Sequence, residues 1–197
     1  MQLLIATHNR GKLKEYQEIF ADLPFELVTL DAVGIRDDIE ETGMTFAENA
    51  RLKAIACARQ SELLTLADDS GLEVDALGGE PGVRSKRYAG EGASDADRIV
   101  FLLDKLREVP RGKRSARFRC VIAIASPRGE IWQADGMCEG EIIFEPRGTN
   151  GFGYDPVFYF SARGVTMAEL SNAEKNRVSH RARAAEDARK ILQKLSK

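Results

Sequence analysis

Residues 3–6 form an aliphatic run, LLIA, that the turn THNRG ends, and a helical pattern follows at once, with Leu13, Tyr16, Ile19 and Phe20 on one stripe over residues 12–20. A strand, a tight loop and a helix in so few residues restrict the chain to folds in which strands and helices alternate. The pattern then repeats. A second strand is expected over 25–30 and an acidic loop over 36–43. Thr45 and Glu48 next make a capping box that opens a helix with Phe46, Ala50, Ile55 and Ala58 inward. A third strand is expected over 63–67, and a helix over 93–109 with Ile99, Leu102, Leu103 and Leu106 on its apolar stripe.

The second half changes character. Residues 116–125 alternate in the manner of a half-buried strand, SPRG at 126–129 is a turn, and 130–144 resumes in short strand-like pieces, so this half reads as antiparallel. A glycine-rich loop, GTNGFGYDP, covers 148–156. Ser171 with Glu174, and then Ser179, mark the starts of terminal helices running to Leu195. No repeat or linker interrupts the chain. The expectation is an α/β fold with a mixed sheet flanked by helices, in two lobes with a substrate cleft between them.

Composition removes several function classes. A chain of 197 residues with 43% hydrophobic and 30% charged side chains can bury a core without staples. Its formal net charge of −2 lacks the electrostatic footprint of a nucleic-acid binder, and the basic run at 111–119 reads as a solvated loop and strand edge. Cys57, Cys120 and Cys138 are odd in number and widely spaced, which argues against a disulfide framework or zinc site and for a reducing compartment. No apolar stretch approaches membrane-spanning length, and the amino terminus lacks a basic n-region. A soluble, unexported, cytoplasmic protein with no membrane partner and no stable nucleic-acid partner is expected.

Four stretches carry possible chemistry. Thr7, Asn9, Gly11 and Lys12 lie in the first strand-to-helix turn, where unpaired N–H groups and the helix dipole suit a phosphate chain; the same residues also suit a capped helix with an exposed lysine. Asp68 and Asp69 follow a strand, and in extended geometry they point to opposite faces. With Glu41 they could supply the few carboxylate oxygens Mg²⁺ takes from protein, one of them polarising a water. Ser70 and Gly71 would then turn the chain, and Asp-Ser-Gly is equally the composition of a plain acidic turn. FGYD at 152–155 could stack a base or form a hairpin turn. Lys175, His180 and Arg181 put donors near helix starts, or simply belong to a solvated basic helix.

Together these stretches occur in an order that closely resembles one family, the inosine triphosphate pyrophosphatases, also called XTP/dITP pyrophosphatases. The motifs are Thr7, Asn9 and Lys12; ETGMTFAENA ending at Ala50; ADDSGL at 67–72; PGVRSKRYAG at 81–90; GFGYDPVF at 151–158; and EKNRVSHRARA at 174–184. Arg84 and Lys86 stand where the family often has Tyr and Ala. The resemblance implies one domain over 1–197, usually homodimeric, that uses Mg²⁺ to hydrolyse ITP, dITP and XTP to the monophosphate and pyrophosphate. It implies that Thr7, His8, Asn9, Arg10, Gly11 and Lys12 form the substrate-binding loop, joined by Lys53, with His8 a loop residue beside the phosphates. Glu41 and Asp69 would bind the metal with Asp68 close by, Asp69 would accept the proton of the attacking water, and Ser70 would touch substrate. Phe152, Gly153, Tyr154 and Asp155 with Lys175, His180 and Arg181 would form the base pocket.

Overall fold

The computed structural model describes residues 1–37 and 39–196. Among these residues the strands are β1 (Gln2–Ile5), β2 (Glu26–Thr29), β3 (Leu64–Val74), β4 (Ser115–Ala125), β5 (Ile131–Ile142), β6 (Phe158–Phe160) and β7 (Val165–Thr166). The α-helices are α1 (Arg10–Ile19), α2 (Phe46–Ser61), α3 (Asp95–Lys105), α4 (Asn172–Val178) and α5 (His180–Leu195). The sheet order is β2-β1-β3-β4-β5-β6-β7. It is mixed: β1 runs parallel to β2 and to β3, whereas β6 runs antiparallel to β5 and β7. Parallel neighbours need crossovers, and α1 and α2 supply them.

The described chain divides into two compact units. The first holds Met1–Asp69, Cys120–Gly136 and the chain from Arg181 onward; the second holds Ser70–Arg119 and Met137–His180. Strands β3, β4 and β5 contribute residues to both. In the first unit Leu3 and Ile5 of β1, Leu66 of β3 and Ile122 and Ile124 of β4 pack with Tyr16 and Phe20 of α1 and with Ala184, Ala185, Ala188 and Leu192 of α5. The alanines let α5 lie close to its neighbours. In the second unit Leu72 and Val74 of β3, Ile99, Leu102 and Leu106, Phe118 of β4 and Phe158 of β6 form a separate core.

The helix starts read from sequence at Thr45 and Ser171 are present, each a capping box, with Glu48 and Glu174 respectively, and the structure adds a third such box at Ser94 with Asp97. Three local readings change. Ser70 and Gly71 do not turn the chain, because β3 continues through them to Val74 and carries Leu72 and Val74 into the second core. Residues 131–142 form one strand rather than several pieces. On α2 Phe46, Ala50 and Ala58 are buried as expected and Asn49, Ala54 and Cys57 join them, while Ile55 is only half-buried. In the basic run Arg111 and Lys113 are exposed ahead of β4 as expected, but the arginines that follow are engaged. Arg114 is buried and donates to the carbonyls of Leu106 and Val109 beyond α3, and Arg117 pairs with Glu73 and Asp75.

Candidate active site

The first cluster lies within the first unit, where β1 ends. The last parallel register pair between β1 and β3 is Ile5 with Leu66, so Asp68 and Asp69 stand just beyond the carboxyl end of β1, the position at which parallel sheets present ligand-binding groups. The turn that follows β1 opens α1. Asn9 is its N-cap, and its side-chain oxygen accepts from the N–H groups of Gly11 at 2.9 Å and Lys12 at 3.1 Å. Thr7 Oγ1 accepts the Asn9 N–H at 3.1 Å. These bonds fix the turn and aim Lys12, whereas His8 and Arg10 are exposed on it.

Extended geometry persists through both aspartates, and it separates their partners. Asp68 is 1% exposed, and its Oδ2 meets Lys12 Nζ at 3.0 Å and Arg181 Nη2 at 3.4 Å, with the Cys120 thiol 3.7 Å away. Arg181, also 1% exposed, is held from its other side by Glu15 at 2.5 Å. Burial works to raise the Asp68 carboxyl, but Lys12, Arg181 and Lys53 overcome it and hold the group well below the ordinary carboxylate range. The thiol of Cys120 is pushed up to about 12 by burial and by the charge on Asp68.

Asp69 is governed by different neighbours. Its Oδ2 accepts from Asn49 Nδ2 at 3.0 Å, and burial together with the negative charge of Glu41 raises its pKa. Lys53 joins the acids: its Nζ reaches Glu41 Oε1 at 2.6 Å and the Asp68 carbonyl at 2.8 Å. Burial disfavours that ammonium, yet Glu41, Asp68 and Asp69 keep its pKa above the ordinary value. Lys12 and Lys53 thus lie in one cluster with the carboxylates of Glu41, Asp68 and Asp69.

Among the described residues no group of three His, Cys, Asp or Glu side chains forms a metal cage. The donor set still suits a hard cation that takes few protein oxygens and fills its shell with phosphate and water. Glu41 and Asp69 repel each other closely enough to perturb Asp69, a repulsion that a divalent cation would relieve. Asp68 Oδ1 is buried without a hydrogen-bond partner, an acceptor that is costly to leave unused.

A second cluster lies within the second unit. The side chain of Asp155, 2% exposed, accepts on Oδ2 from the Phe152 N–H at 2.8 Å and from Lys175 Nζ at 2.5 Å. The Lys175 ammonium also sits 4.5 Å from the centroid of the Phe152 ring. His180, 5% exposed, stacks on Phe118 with centroids 4.8 Å apart. A Cβ on Gly151 would run into the Asp155 carboxylate, so glycine is required for the turn to close. Tyr154 is buried and donates to the Ser85 carbonyl at 2.9 Å. Ser70 sits half-buried on β3. Arg84 and Lys86 are exposed on either side of buried Ser85.

The structure therefore brings Thr7, Asn9, Gly11, Lys12, Glu41, Lys53, Asp68, Asp69 and Arg181 into one unit, and Ser70, Phe152, Gly153, Tyr154, Asp155, Lys175 and His180 into the other. Arg181 departs from its sequence neighbour His180 and engages Asp68 and Glu15. Sequence reading assigned no role to Glu15, Asn49 or Cys120. Asn49 lies inside a quoted motif, and a polar residue on the inward face of α2 was its only signal.

A sequence model of the Ham1 family matches residues 3–191. The chain is 46% identical over 192 residues to the dITP/XTP pyrophosphatase of Bacillus subtilis, covering 98% of this chain and 97% of that one. It is 49% identical over 195 residues to the dITP/XTP pyrophosphatase of Desulforamulus reducens, covering 99% and 97%. Among solved structures, the HAM1 protein from Coxiella burnetii superposes with a TM-score of 0.90 at 45% identity, covering 98% of this chain and 99% of that one.

Proposed function

The chain belongs to the Ham1 family, and from that premise we propose that it hydrolyses the nonstandard purine nucleoside triphosphates ITP, dITP and XTP to the nucleoside monophosphate and pyrophosphate. The observation that carries the reading is the pairing of Lys12 with Asp68 and of Lys53 with Glu41, next to Asp69, which puts cations able to hold phosphate beside carboxylate oxygens able to take a proton or a metal.

Lys12 and Lys53 take the charge of the triphosphate, aided by the N–H groups of the 7–12 turn. Asp69 accepts a proton from the water that attacks the α-phosphorus, the bond to the bridging oxygen breaks, and pyrophosphate leaves. Asp68 keeps Lys12 in place, and Arg181 with Glu15 holds Asp68. Glu41 and Asp69 are the residues that would hold Mg²⁺, which when bound supplies positive charge to the phosphate oxygens. The loop at 152–155 with Lys175 and His180 reads the base: a 6-oxo group accepts from such donors, whereas the 6-amino group of adenine would face them donor to donor. A homodimer acting in the cytoplasm completes the reading by resemblance to the family.

Pyrophosphate release with Mg²⁺ from ITP, XTP, GTP and ATP, in parallel with Asp69→Asn, tests it. Turnover of ITP and XTP far above GTP and ATP, lost in the variant, is the expected result. Equal turnover of all four would remove the base preference, and none would remove the hydrolase.

A further inference from the structure

Residues 81–98 of the second unit are unused in the reaction described above. Asp95 opens α3 directly after its N-cap Ser94, and its two carboxylate oxygens have separate partners. Oδ1 pairs with Arg98, whereas Oδ2 accepts the backbone N–H of Gly153 at 2.7 Å across 58 residues of sequence. The adjacent Tyr154 hydroxyl donates to the Ser85 carbonyl at 2.9 Å. Ser85 is anchored in turn, donating to the Gly82 carbonyl at 2.6 Å and accepting the Leu72 N–H at 2.9 Å. Arg98 closes the frame by donating to the Lys86 carbonyl at 3.1 Å.

Gly153 gives this bond its purpose. Its φ of +63° is a conformation that side chains strain against, yet a Cβ there would meet nothing within 4 Å. Glycine therefore serves backbone conformation at this point, and a glycine is also the residue most easily displaced from it. Asp95 supplies a charge-assisted tether from a helix start, outside the turn itself.

We infer that Asp95 is a positioning residue for base discrimination, its bond to Gly153 holding the turn that presents Phe152 and Asp155. The inference rests on the reading of residues 152–155 as the base loop. Discrimination by hydrogen-bond polarity requires donors and acceptors to stay where the wrong base leaves them unpaired; a turn free to shift can accommodate that base. Loss of the tether relaxes selection more than it slows chemistry.

The test compares kcat and KM for ITP and GTP in the wild type, Asp95→Ala, Asp95→Asn and Asp97→Ala. Asp97 accepts from the Ser94 N–H at 2.9 Å and its hydroxyl at 2.6 Å, so Asp97→Ala weakens the same helix start and leaves the Gly153 bond intact. Asp95→Ala is expected to lower the ITP-to-GTP ratio of kcat/KM about tenfold, chiefly through KM. Asp97→Ala is expected to keep the wild-type ratio, whereas Asp95→Asn, whose single oxygen can serve Gly153 or Arg98 but not both, is expected to fall between the wild type and Asp95→Ala. Should Asp95→Ala fail to fold, Asp95→Glu keeps the charge but displaces the oxygen, and the same fall is expected. An unchanged ratio in Asp95→Ala or its substitute, or an equal fall in Asp97→Ala, overturns the inference alone. A wild type that hydrolyses ITP and GTP alike overturns the base-loop reading and this inference with it.

Discussion

Asn49 and Asp69 are joined by a hydrogen bond of 3.0 Å from the amide Nδ2 to the carboxylate Oδ2, while the amide's own Oδ1 accepts the Gly43 N–H at 2.8 Å. The two bonds fix which end of the amide faces the acid. They also tie the loop carrying Glu41 to the strand carrying Asp69. The site behind Gly43 is tight, since a Cβ there would lie 2.7 Å from Asn49 Oδ1.

Asn49→Asp should therefore be far worse than its size suggests, because it sets one carboxylate against another in a buried position. Outer partners of this kind are worth roughly ten- to a hundredfold in activity or metal affinity. Asn49→Ala, which strands the Gly43 N–H, should cost about 1–3 kcal/mol of stability. Urea denaturation and Mg²⁺-dependent pyrophosphate release separate the two effects; a fully active Asn49→Asp would show that the amide has no part in placing Asp69.

The adjacent aspartates should pull stability in opposite directions with pH. The Asp68 carboxyl is held below its ordinary value near 3.8, so the unfolded chain binds its proton first and native stability is lost as pH falls below that value. The Asp69 carboxyl is raised, so the folded chain binds the proton first, and stability is lost as pH rises from about the ordinary value through the raised one. Unfolding free energy measured against pH without Mg²⁺ should show the second slope vanish in Asp69→Asn, leaving that variant at least as stable as wild type at pH 7 but inactive. Greater instability of Asp69→Asn at pH 7 would contradict the raised pKa.

Arg181 is the counter-ion of two buried acids, so Arg181→Met should cost about 3–5 kcal/mol, as removal of one partner from a buried ion network does. Arg181→Lys should recover little, because a single ammonium cannot span Glu15 and Asp68 as a guanidinium fork does. A denaturation midpoint for Arg181→Met equal to wild type would mean that the acids find other compensation.

In the second unit, Lys175→Met should leave the Asp155 carboxylate without its cation, and combining it with Asp155→Asn should restore part of the loss. The Asn oxygen still accepts the Phe152 N–H, so a double-mutant cycle should give a coupling of about 1–3 kcal/mol. Additive losses would mark the pair as independent.

Much of the frame could be read without coordinates. The helix starts at Thr45 and Ser171 rest on bonds to residues three positions on, and such short-range chemistry is written in adjacent letters. The motif order around Lys12, Asp68, Asp69 and Lys175 likewise carried the resemblance from which their roles are proposed. Ser70 and Gly71 were misread for the complementary reason: local turn preference yields when Leu72 and Val74 gain burial only in an extended strand.

The sequence by itself determined the alternation of elements, the caps, and which residue types could bind phosphate, metal and base, because each depends on spacing along the chain. Tertiary structure decided the pairings: Arg181 with Glu15 across 166 residues, Asp95 with Gly153 across 58, Asn49 with Asp69 across 20. It also gave two adjacent aspartates opposite charge behaviour. A carboxylate's properties are set by the charges and donors packed against it and by how much water is excluded, and in a folded chain those neighbours come from anywhere in the sequence.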